Sequence, residues 1–295
     1  MNTETTEEAQ NLIGADVAGV NLLTLHGRGH TGLVFTGFQR SLKRKIAVKL
    51  VPKDKVTAQS FMDEAEVVAG LNHPNIVTVF DVGEFGKYLY ITMQLVDGES
   101  LHALIKRKLR HPAPSQRYVD LPTALRTISH TLDALAYAHK EGVIHQDVKP
   151  GNILIENESG RSYLVDFGIA RTELSEDDSL FVHGTPLYMP PEQARGEVTD
   201  ARADVFATGV TLWECLSGTL PIPSLPSIKL VGLKARKPWE FFEKTPSESS
   251  VRIDKELEAI ILKATASHKD DRYSDCAEFL GEIKGYANKK LGLTI

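Results

Sequence analysis

Runs of β-branched and aromatic residues alternate with glycine-containing turns in the first third of the chain, a pattern typical of β-strands. Five such runs predict five strands, at residues 21–25, 33–38, 45–51, 76–82 and 88–95. Between the third and fourth runs, apolar residues recur at helical spacing, which predicts a helix over residues 58–71 that ends before Asn72-His73-Pro74. The pattern therefore predicts an antiparallel sheet of five strands with one helix.

Helical spacing takes over after Asp97-Gly98. It predicts long helices at residues 121–140, 204–216 and 257–266, and two short strands at 153–155 and 163–165. Residues 1–15 are polar and acidic without a hydrophobic period, so we predict a disordered tail there. Ser247-Glu248-Ser249-Ser250 is predicted to be a surface loop. The chain thus reads as an α+β protein, with a strand-rich half, a connector at 94–98 and a helical half.

Composition narrows the class of protein. The chain has 295 residues, of which 42% are hydrophobic and 25% charged, values that are ordinary for a globular protein. Its formal net charge of -5 provides no general field for nucleic acid or an anionic membrane. Cys215 and Cys276 have no partner at metal-ligand spacing, so neither a disulfide framework nor a zinc site is expected, and a reducing, cytoplasmic location fits. We expect no signal peptide and no membrane span.

A glycine-rich turn joins the first two predicted strands. Gly27, Gly29 and Gly32 have the spacing G-x-G-x-x-G, which lets backbone N–H groups approach phosphate oxygens without interference from a Cβ. Alone the pattern is weak, because dinucleotide-binding folds use it and many tight hairpins need glycine for geometry. The chain continues as a strand after Gly32, whereas a dinucleotide fold would begin a helix there. This disfavours a dinucleotide site.

Lys49 follows three apolar residues at the end of the third strand. Such a lysine commonly reaches solvent, but it could also point inward and contact phosphate, in which case it needs a counter-charge. Glu64 on the predicted helix can supply one. It lies in register with the apolar positions 68 and 71, whereas Glu66 is predicted to point outward.

Two short segments of the helical half carry the chemistry of phosphoryl transfer. Asp147, Lys149 and Asn152 precede the strand at 153–155, and Asp166 follows the strand at 163–165. One carboxylate and an amide can hold Mg²⁺ through oxygen, the lysine can offset phosphate charge, and the second carboxylate can orient an attacking hydroxyl.

With these motifs in this order, the sequence resembles the eukaryotic-like (Hanks-type) Ser/Thr protein kinases, particularly their bacterial members. The resemblance runs from about residue 19 to about residue 286 and includes the glycine loop, Ala47-Val48-Lys49, the helix glutamate, the catalytic loop, Asp166-Phe167-Gly168 and Pro190-Pro191-Glu192. It implies the bilobal protein kinase fold, with an N-lobe at about 16–93, a hinge at 94–98, a C-lobe at about 99–289 and a tail at 290–295.

The resemblance also implies a role for individual residues. Lys49 binds the α/β-phosphates and pairs with Glu64, Asp147 orients the hydroxyl, and Lys149 contacts the γ-phosphate. Asn152 and Asp166 bind Mg²⁺, which Mn²⁺ can replace. Residues implied to surround ATP are His26, Gly27, Gly29, Gly32, Val34, Ala47, Met93 as gatekeeper, Gln94 and Val96 of the hinge, and Leu154. Plain core packing is the alternative for Met93, Val34 and Leu154.

Structural roles are implied for three further residues, Glu192 paired with Arg272, and Asp204 bracing the catalytic loop. Thr185, in Gly184-Thr185-Pro186, is implied to lie in the segment that docks a Ser/Thr acceptor. Candidate autophosphorylation sites are Thr172, Ser175 and Ser179. The alternative, which the neighbouring acidic residues favour, is an exposed loop that these acids keep solvated.

Three departures from the family pattern stand out. Gln146 occupies the position of an arginine that normally pairs with a phosphorylated loop residue, so we predict that activity depends little on loop phosphorylation. His26 stands where the family usually has Leu or Ile above adenine, and Thr31 replaces a large apolar residue at the tip of the glycine loop. Both departures bear on ATP affinity.

The expected activity is transfer of the γ-phosphoryl group of Mg-ATP to Ser/Thr hydroxyls of protein substrates, with autophosphorylation. The alternatives are a pseudokinase scaffold and a small-molecule phosphotransferase of the same fold. The expected partners are protein substrates with Ser/Thr acceptors, and a homodimer is a candidate assembly. We expect no binding to nucleic acid.

Overall fold

The computed structural model describes residues 9–28, 32–54, 56–167, 186–250 and 252–295. These form two compact units. Within the described residues, the first unit comprises 9–72 and Val77–Val96, and the second comprises His73–Ile76, Asp97–Phe167 and 186–295. The first is mainly a sheet and the second mainly helical, so the α+β class predicted from the sequence is confirmed.

An antiparallel sheet forms the first unit, in the order β1-β2-β3-β4-β6-β5. Its strands are β1 Asp16–Val17, β2 Val20–Arg28, β3 Leu33–Gln39, β4 Arg44–Pro52, β5 Val79–Phe85 and β6 Tyr88–Met93. Five of them correspond to the predicted strands. The sixth, β1, is only two residues long and pairs with the start of β2, and a strand this short leaves no hydrophobic period to detect.

One face of this sheet is covered by the start of the chain. Ala9 is 2% exposed, and Leu12 and Ala15 pack against the cluster that contains Ile46 and Val48. The prediction of a disordered tail at residues 1–15 was therefore wrong for residues 9–15. These apolar side chains lie three residues apart and cover the sheet, but they follow an acidic stretch that hides the spacing in the sequence. Residues 1–8 lie outside the described part.

The first unit has one long helix, α1 (Ala58–Ala69), which packs against β5 and β6. Thr57 caps its first turn by accepting a hydrogen bond from Ser60 N (3.3 Å). The next strand begins at Val79, three residues later than predicted. The reason is that Ile76 forms an isolated bridge with Leu164 of the second unit instead of joining the sheet.

Helices dominate the second unit. Those of nine residues or more are α2 Leu101–Leu109, α3 Leu121–Lys140, α5 Arg202–Ser217, α6 Ser227–Arg236, α8 Lys255–Ala264 and α9 Cys276–Leu291, and the short ones are α4 Pro191–Ala194 and α7 Pro246–Ser249. A small antiparallel sheet joins β7 (Gly98–Ser100), β8 (Ile153–Glu156) and β9 (Ser162–Leu164). α5 is buried on nearly all sides, so it forms the centre of this unit.

Besides shifts of one or two residues at other helix and strand ends, the second unit differs from the sequence analysis in two places. Residues 247–250 were predicted to be a loop, but Thr245 and Glu248 form a capping box that starts the short helix α7. At the carboxyl end α9 continues to Leu291, where Lys290 contacts Asp254 at 2.9 Å. The folded region thus extends past the predicted limit of residue 289. No helix in the described ranges is long and apolar enough to cross a bilayer.

Candidate active site

The glycine turn begins inside β2. Gly27 lies opposite Val34, and a Cβ added at Gly27 would meet nothing within 4 Å, so this position leaves open space beside the strand. Gly32 differs, because a Cβ there would lie 2.1 Å from the carbonyl oxygen of Leu50. Gly32 is therefore required by packing, whatever the turn binds. The side chain of His26 is exposed.

One face of the first sheet carries four of the residues implied to bind nucleotide. In the strand register Lys49 lies opposite Val34, and Ala47 lies opposite Met93. Residues two apart on a strand point to the same side, so all four share a face. Lys49 is only 4% exposed, which places its ammonium away from bulk water.

The predicted hinge follows β6. Gln94 N donates to the carbonyl oxygen of Thr78 (2.9 Å), and Val96 is 4% exposed. The hydrogen bond of Gln94 and the burial of Val96 hold the backbone of residues 94–96 within the first unit.

On α1, the two candidate glutamates face differently. Glu64 is half-buried and lies among the buried residues Phe61, Ala65 and Val68, whereas Glu66 is exposed. Glu64 is therefore on the packed side of the helix, as the spacing predicts.

In the second unit a buried aspartate organises the loop before β8. Asp204, in the first turn of α5, has no solvent exposure. Its Oδ2 accepts from His145 N (2.8 Å) and lies 2.8 Å from His139 Nε2, and its Oδ1 accepts from Gln146 N (2.7 Å). A charged acceptor with several short bonds holds a backbone strongly. Asp204 thus fixes residues 145 and 146, immediately before Asp147.

Asp147, Lys149 and Asn152 form a compact cluster on this loop. Lys149 Nζ donates to Asp147 Oδ2 (2.6 Å), and Asn152 Nδ2 donates to the same oxygen (3.0 Å) and to the Asp147 carbonyl (2.9 Å). The side chains of Asp147 and Lys149 remain 32% and 22% exposed, so a substrate can reach them. The cluster offers a carboxylate with a fixed orientation beside a cation.

His145 ties this loop to the segment that carries Asp166. Its Nδ1 accepts from Asp147 N (3.2 Å), and its Nε2 lies 3.0 Å from the carbonyl oxygen of Val165. Its ring packs against that of Phe167 in a tilted arrangement, with 4.6 Å between the ring centroids. The sequence analysis gave His145 no role, and only its place in the motif could have suggested one.

Two residues of the site adopt left-handed backbone conformations. Gln146 has φ 60° and Asp166 has φ 61°. For a residue with a Cβ this conformation costs roughly 1–2 kcal/mol. At Gln146 the bonds to Asp204 oppose that cost, which indicates that the fold holds this loop in one geometry.

The donor set suits a hard divalent cation. The side-chain NH₂ group of Asn152 donates to Asp147, which leaves the side-chain oxygen Oδ1 of Asn152 as a ligand, and Asp166 offers carboxylate oxygens. Asn152 and Asp166 come from adjacent segments, since Val165 N donates to the main-chain carbonyl oxygen of Asn152 (3.0 Å). Mg²⁺ prefers such oxygen ligands and commonly takes only one or two from the protein. In the described ranges no group of three or more His, Cys, Asp or Glu could hold a metal.

Two buried polar pairs hold the segment that follows residue 185. The ion pair expected between Glu192 and Arg272 is present and bidentate, at 2.6 and 2.8 Å, with both side chains almost fully buried. Tyr188, which the sequence analysis did not single out, donates to Glu214 Oε2 (2.5 Å). Burial raises the pKa of Glu214 and, together with the charge of Glu214, that of Tyr188.

Several predicted residues cannot be placed. Gly29, Thr31, Thr172, Ser175, Ser179 and Thr185 lie outside the described residues, so their assignments stay predictions. Leu154 is half-buried in β8. Cys215 and Cys276 are buried free thiols whose pKa values burial raises, which makes them poor nucleophiles.

Comparison with known proteins agrees with this geometry. A family model described as the protein kinase domain matches residues 21–282. Serine/threonine-protein kinase pkn3 of Myxococcus xanthus is 35% identical over 294 residues, which cover 95% of this chain and 52% of that protein. Serine/threonine-protein kinase PknB of Mycolicibacterium smegmatis is 35% identical over 254 residues, covering 82% of this chain and 39% of PknB. The chain thus spans about half or less of the length of these relatives.

Solved structures give the same answer. A crystal structure of the Mycobacterium tuberculosis PknI kinase domain is similar with a TM-score of 0.74 and 26% identity, covering 95% of this chain and 99% of that one. Rad53 1-466 in complex with AMP-PNP is similar with a TM-score of 0.73 and 25% identity, covering 90% of this chain and 64% of that one. The geometry of the loop held by Asp204 and the match over residues 21–282 lead to the same conclusion. The chain belongs to the protein kinase domain family.

Proposed function

We propose that the protein transfers the γ-phosphoryl group of ATP to serine and threonine hydroxyls of proteins, with a divalent cation as cofactor. The observation that carries the proposal is the Asp147–Lys149–Asn152 cluster, hydrogen-bonded internally and held in place by the buried Asp204. The curated relatives described above are named serine/threonine-protein kinases, which supports the same acceptor class.

In this proposal the first unit binds the nucleotide. The shared face that carries Val34, Ala47 and Met93 is apolar and suits a flat base, while Lys49 binds the α/β-phosphates with Glu64 as its counter-charge. An ammonium removed from water interacts with phosphate more strongly than an exposed one does. Lys49 therefore serves as a phosphate anchor.

The second unit handles the acceptor. Asp147 accepts the proton of the attacking hydroxyl, and the bonds from Lys149 and Asn152 fix its carboxylate so that the hydroxyl meets a defined oxygen. Lys149 offsets the negative charge on the transferring group. Asn152 and Asp166 would hold Mg²⁺, with Mn²⁺ as a substitute, and the cation would neutralise charge on the phosphate oxygens.

Further features of the sequence and the structure support the class of acceptor and the cellular location in this proposal. The resemblance carries two features of Ser/Thr-specific kinases. These are Lys149 two residues after Asp147, and Thr185 in Gly184-Thr185-Pro186. Two buried free cysteines fit a reducing, cytoplasmic setting. We include autophosphorylation and a homodimer in the proposal.

The test is transfer of radiolabel from γ-labelled ATP to a generic basic protein, with the wild type beside Asp147→Asn. We expect labelled protein with the wild type and a loss of at least about 100-fold in the variant, the lower end of what a general base contributes. Asp54→Asn is the matched control, since Asp54 is an exposed aspartate just after β4. Label only on a small molecule would indicate a small-molecule phosphotransferase. No label with the folded wild type would indicate a scaffold.

A further inference from the structure

A lysine is buried in the interior of the second unit. Lys234 lies on α6 next to the buried Leu230 and Val231 and is 1% exposed. Lysine is almost never fully buried unless its charge is partnered. The sequence analysis did not single it out, because a lysine in an amphipathic helix normally faces solvent.

The ammonium of Lys234 is held by carbonyl oxygens and aromatic rings. Nζ donates to the carbonyl oxygens of Pro186 (2.9 Å) and Leu187 (2.8 Å). It lies 3.9 Å from the ring centroid of Phe241 and 5.2 Å from that of Phe206. The two carbonyls and the face of the nearer ring together provide three attractive partners for the three N–H bonds.

This burial opposes the charge of the lysine. Desolvation lowers the pKa of Lys234 well below its usual value, Arg272 adds to the effect, and Glu192 opposes it. Glu192 gives both its oxygens to Arg272, so it does not form a direct ion pair with Lys234. A leucine or methionine would fill the same space without that penalty. The N–H bonds to Pro186 and Leu187 are what the lysine adds.

Those bonds act on backbone. One donor bonds the carbonyls of two consecutive residues, so both carbonyls must point toward α6 and the turn at 186–188 has one orientation. Farther along, two side-chain interactions hold the same segment, between Tyr188 and Glu214 and between Glu192 and Arg272.

We infer that Lys234 is a positioning residue for the protein acceptor, fixing the backbone at Pro186 and Leu187, next to the segment that docks the acceptor hydroxyl. The inference rests on the proposed function. It implies that Lys234 acts on acceptor binding and not on ATP, since the two carbonyls that it bonds lie in the second unit, next to the proposed acceptor segment.

The test compares Lys234→Met with the matched control Lys229→Met, which removes an exposed ammonium from the same helix. Three quantities are measured for each: the KM for a generic basic protein, the KM for ATP, and the rate of ATP hydrolysis without acceptor. For Lys234→Met we expect the acceptor KM to rise about tenfold or more, as for loss of a hydrogen bond from a charged donor. The ATP KM and hydrolysis should stay within about twofold, and Lys229→Met should match the wild type.

Circular dichroism first confirms that the variants are folded. An acceptor KM unchanged in folded Lys234→Met overturns the inference, and so does a parallel loss of hydrolysis and transfer, which would indicate a purely structural lysine. If Lys234→Met does not fold, Phe241→Leu removes the ring beneath the ammonium and must raise the acceptor KM selectively, or the inference fails. Absence of transfer by the wild type would instead refute the proposed function.

Discussion

Replacing Asp204 by asparagine should unfold the loop of the candidate site. The carboxylate has three short contacts, two to backbone N–H groups and one to His139, and it has no exposure to solvent. An asparagine retains one acceptor oxygen, and its NH₂ group would face an N–H donor. At least one buried N–H group then loses its partner.

The size of the effect follows from these contacts. Each hydrogen bond to a charged group contributes about 1.5–3 kcal/mol, so loss of one or two predicts a decrease of about 1.5–6 kcal/mol in the free energy of unfolding. That is a large part of the roughly 5–15 kcal/mol by which domains are stable. The loop should also lose its left-handed conformation at Gln146, which moves Asp147, and a displacement of about 1 Å can cost about 100-fold in turnover.

Urea denaturation and phosphoryl transfer measure the two effects in parallel. Asp54→Asn, the same change at an exposed site, should alter stability by less than about 0.5 kcal/mol. The reasoning would be refuted if folded Asp204→Asn stayed within about 1 kcal/mol of the wild type and kept its turnover.

Three further predictions follow from other parts of the molecule. Leu12→Asp should lower the free energy of unfolding of the first unit by about 1–3 kcal/mol, because a charge would face the sheet, and an unchanged urea midpoint would contradict this. Burial lowers the pKa of His130, whose Nδ1 accepts from Ser162 N, so its contribution to stability is complete above its unfolded pKa of about 6.5 and is lost as pH falls through the folded value. His130→Gln should flatten the pH dependence of the urea midpoint below pH 6.5, and an unaltered slope would count against it. Because Gln146 lacks the charge of an arginine, phosphatase treatment should leave most of the turnover intact, and a loss of most of it, measured by radiolabel transfer, would disprove the idea.

Much of the fold follows from local pattern. The strands at β2, β3 and β4 and the helix α3 lie within one to three residues of their predicted limits, because alternation and helical spacing are long and regular there. β5 was misplaced because Ile76 is apolar and β-branched, and only the tertiary bridge to Leu164 reveals that it leaves the strand. The order of residues 9–15 was missed because their few apolar side chains form no detectable period, and only the structure shows that they cover the sheet.

In the candidate site, too, some features could be predicted from the sequence and others could not. Residues with a fixed place in a motif, such as Lys49 and Asp147, could be named from sequence, and the structure places them on defined elements. The contacts that hold them could not be derived from the sequence alone, since Asp204 is 57 positions from Asp147 along the chain. Lys234 shows the limit most clearly, because nothing in its sequence neighbours distinguishes a buried ammonium from a solvated one.

The departure of His73–Ile76 from the first unit has a consequence for dissecting the protein. Asn75 donates through Nδ2 to the carbonyl oxygen of Ser162 (2.8 Å), and Ile76 bridges to Leu164, so four residues in the middle of the amino-terminal half belong to the other unit. A cut after Val96 would carry these four residues away with the wrong fragment. Neither unit can therefore be expressed as one uninterrupted polypeptide, and fragment complementation or limited proteolysis should be planned with that interlaced connectivity in view.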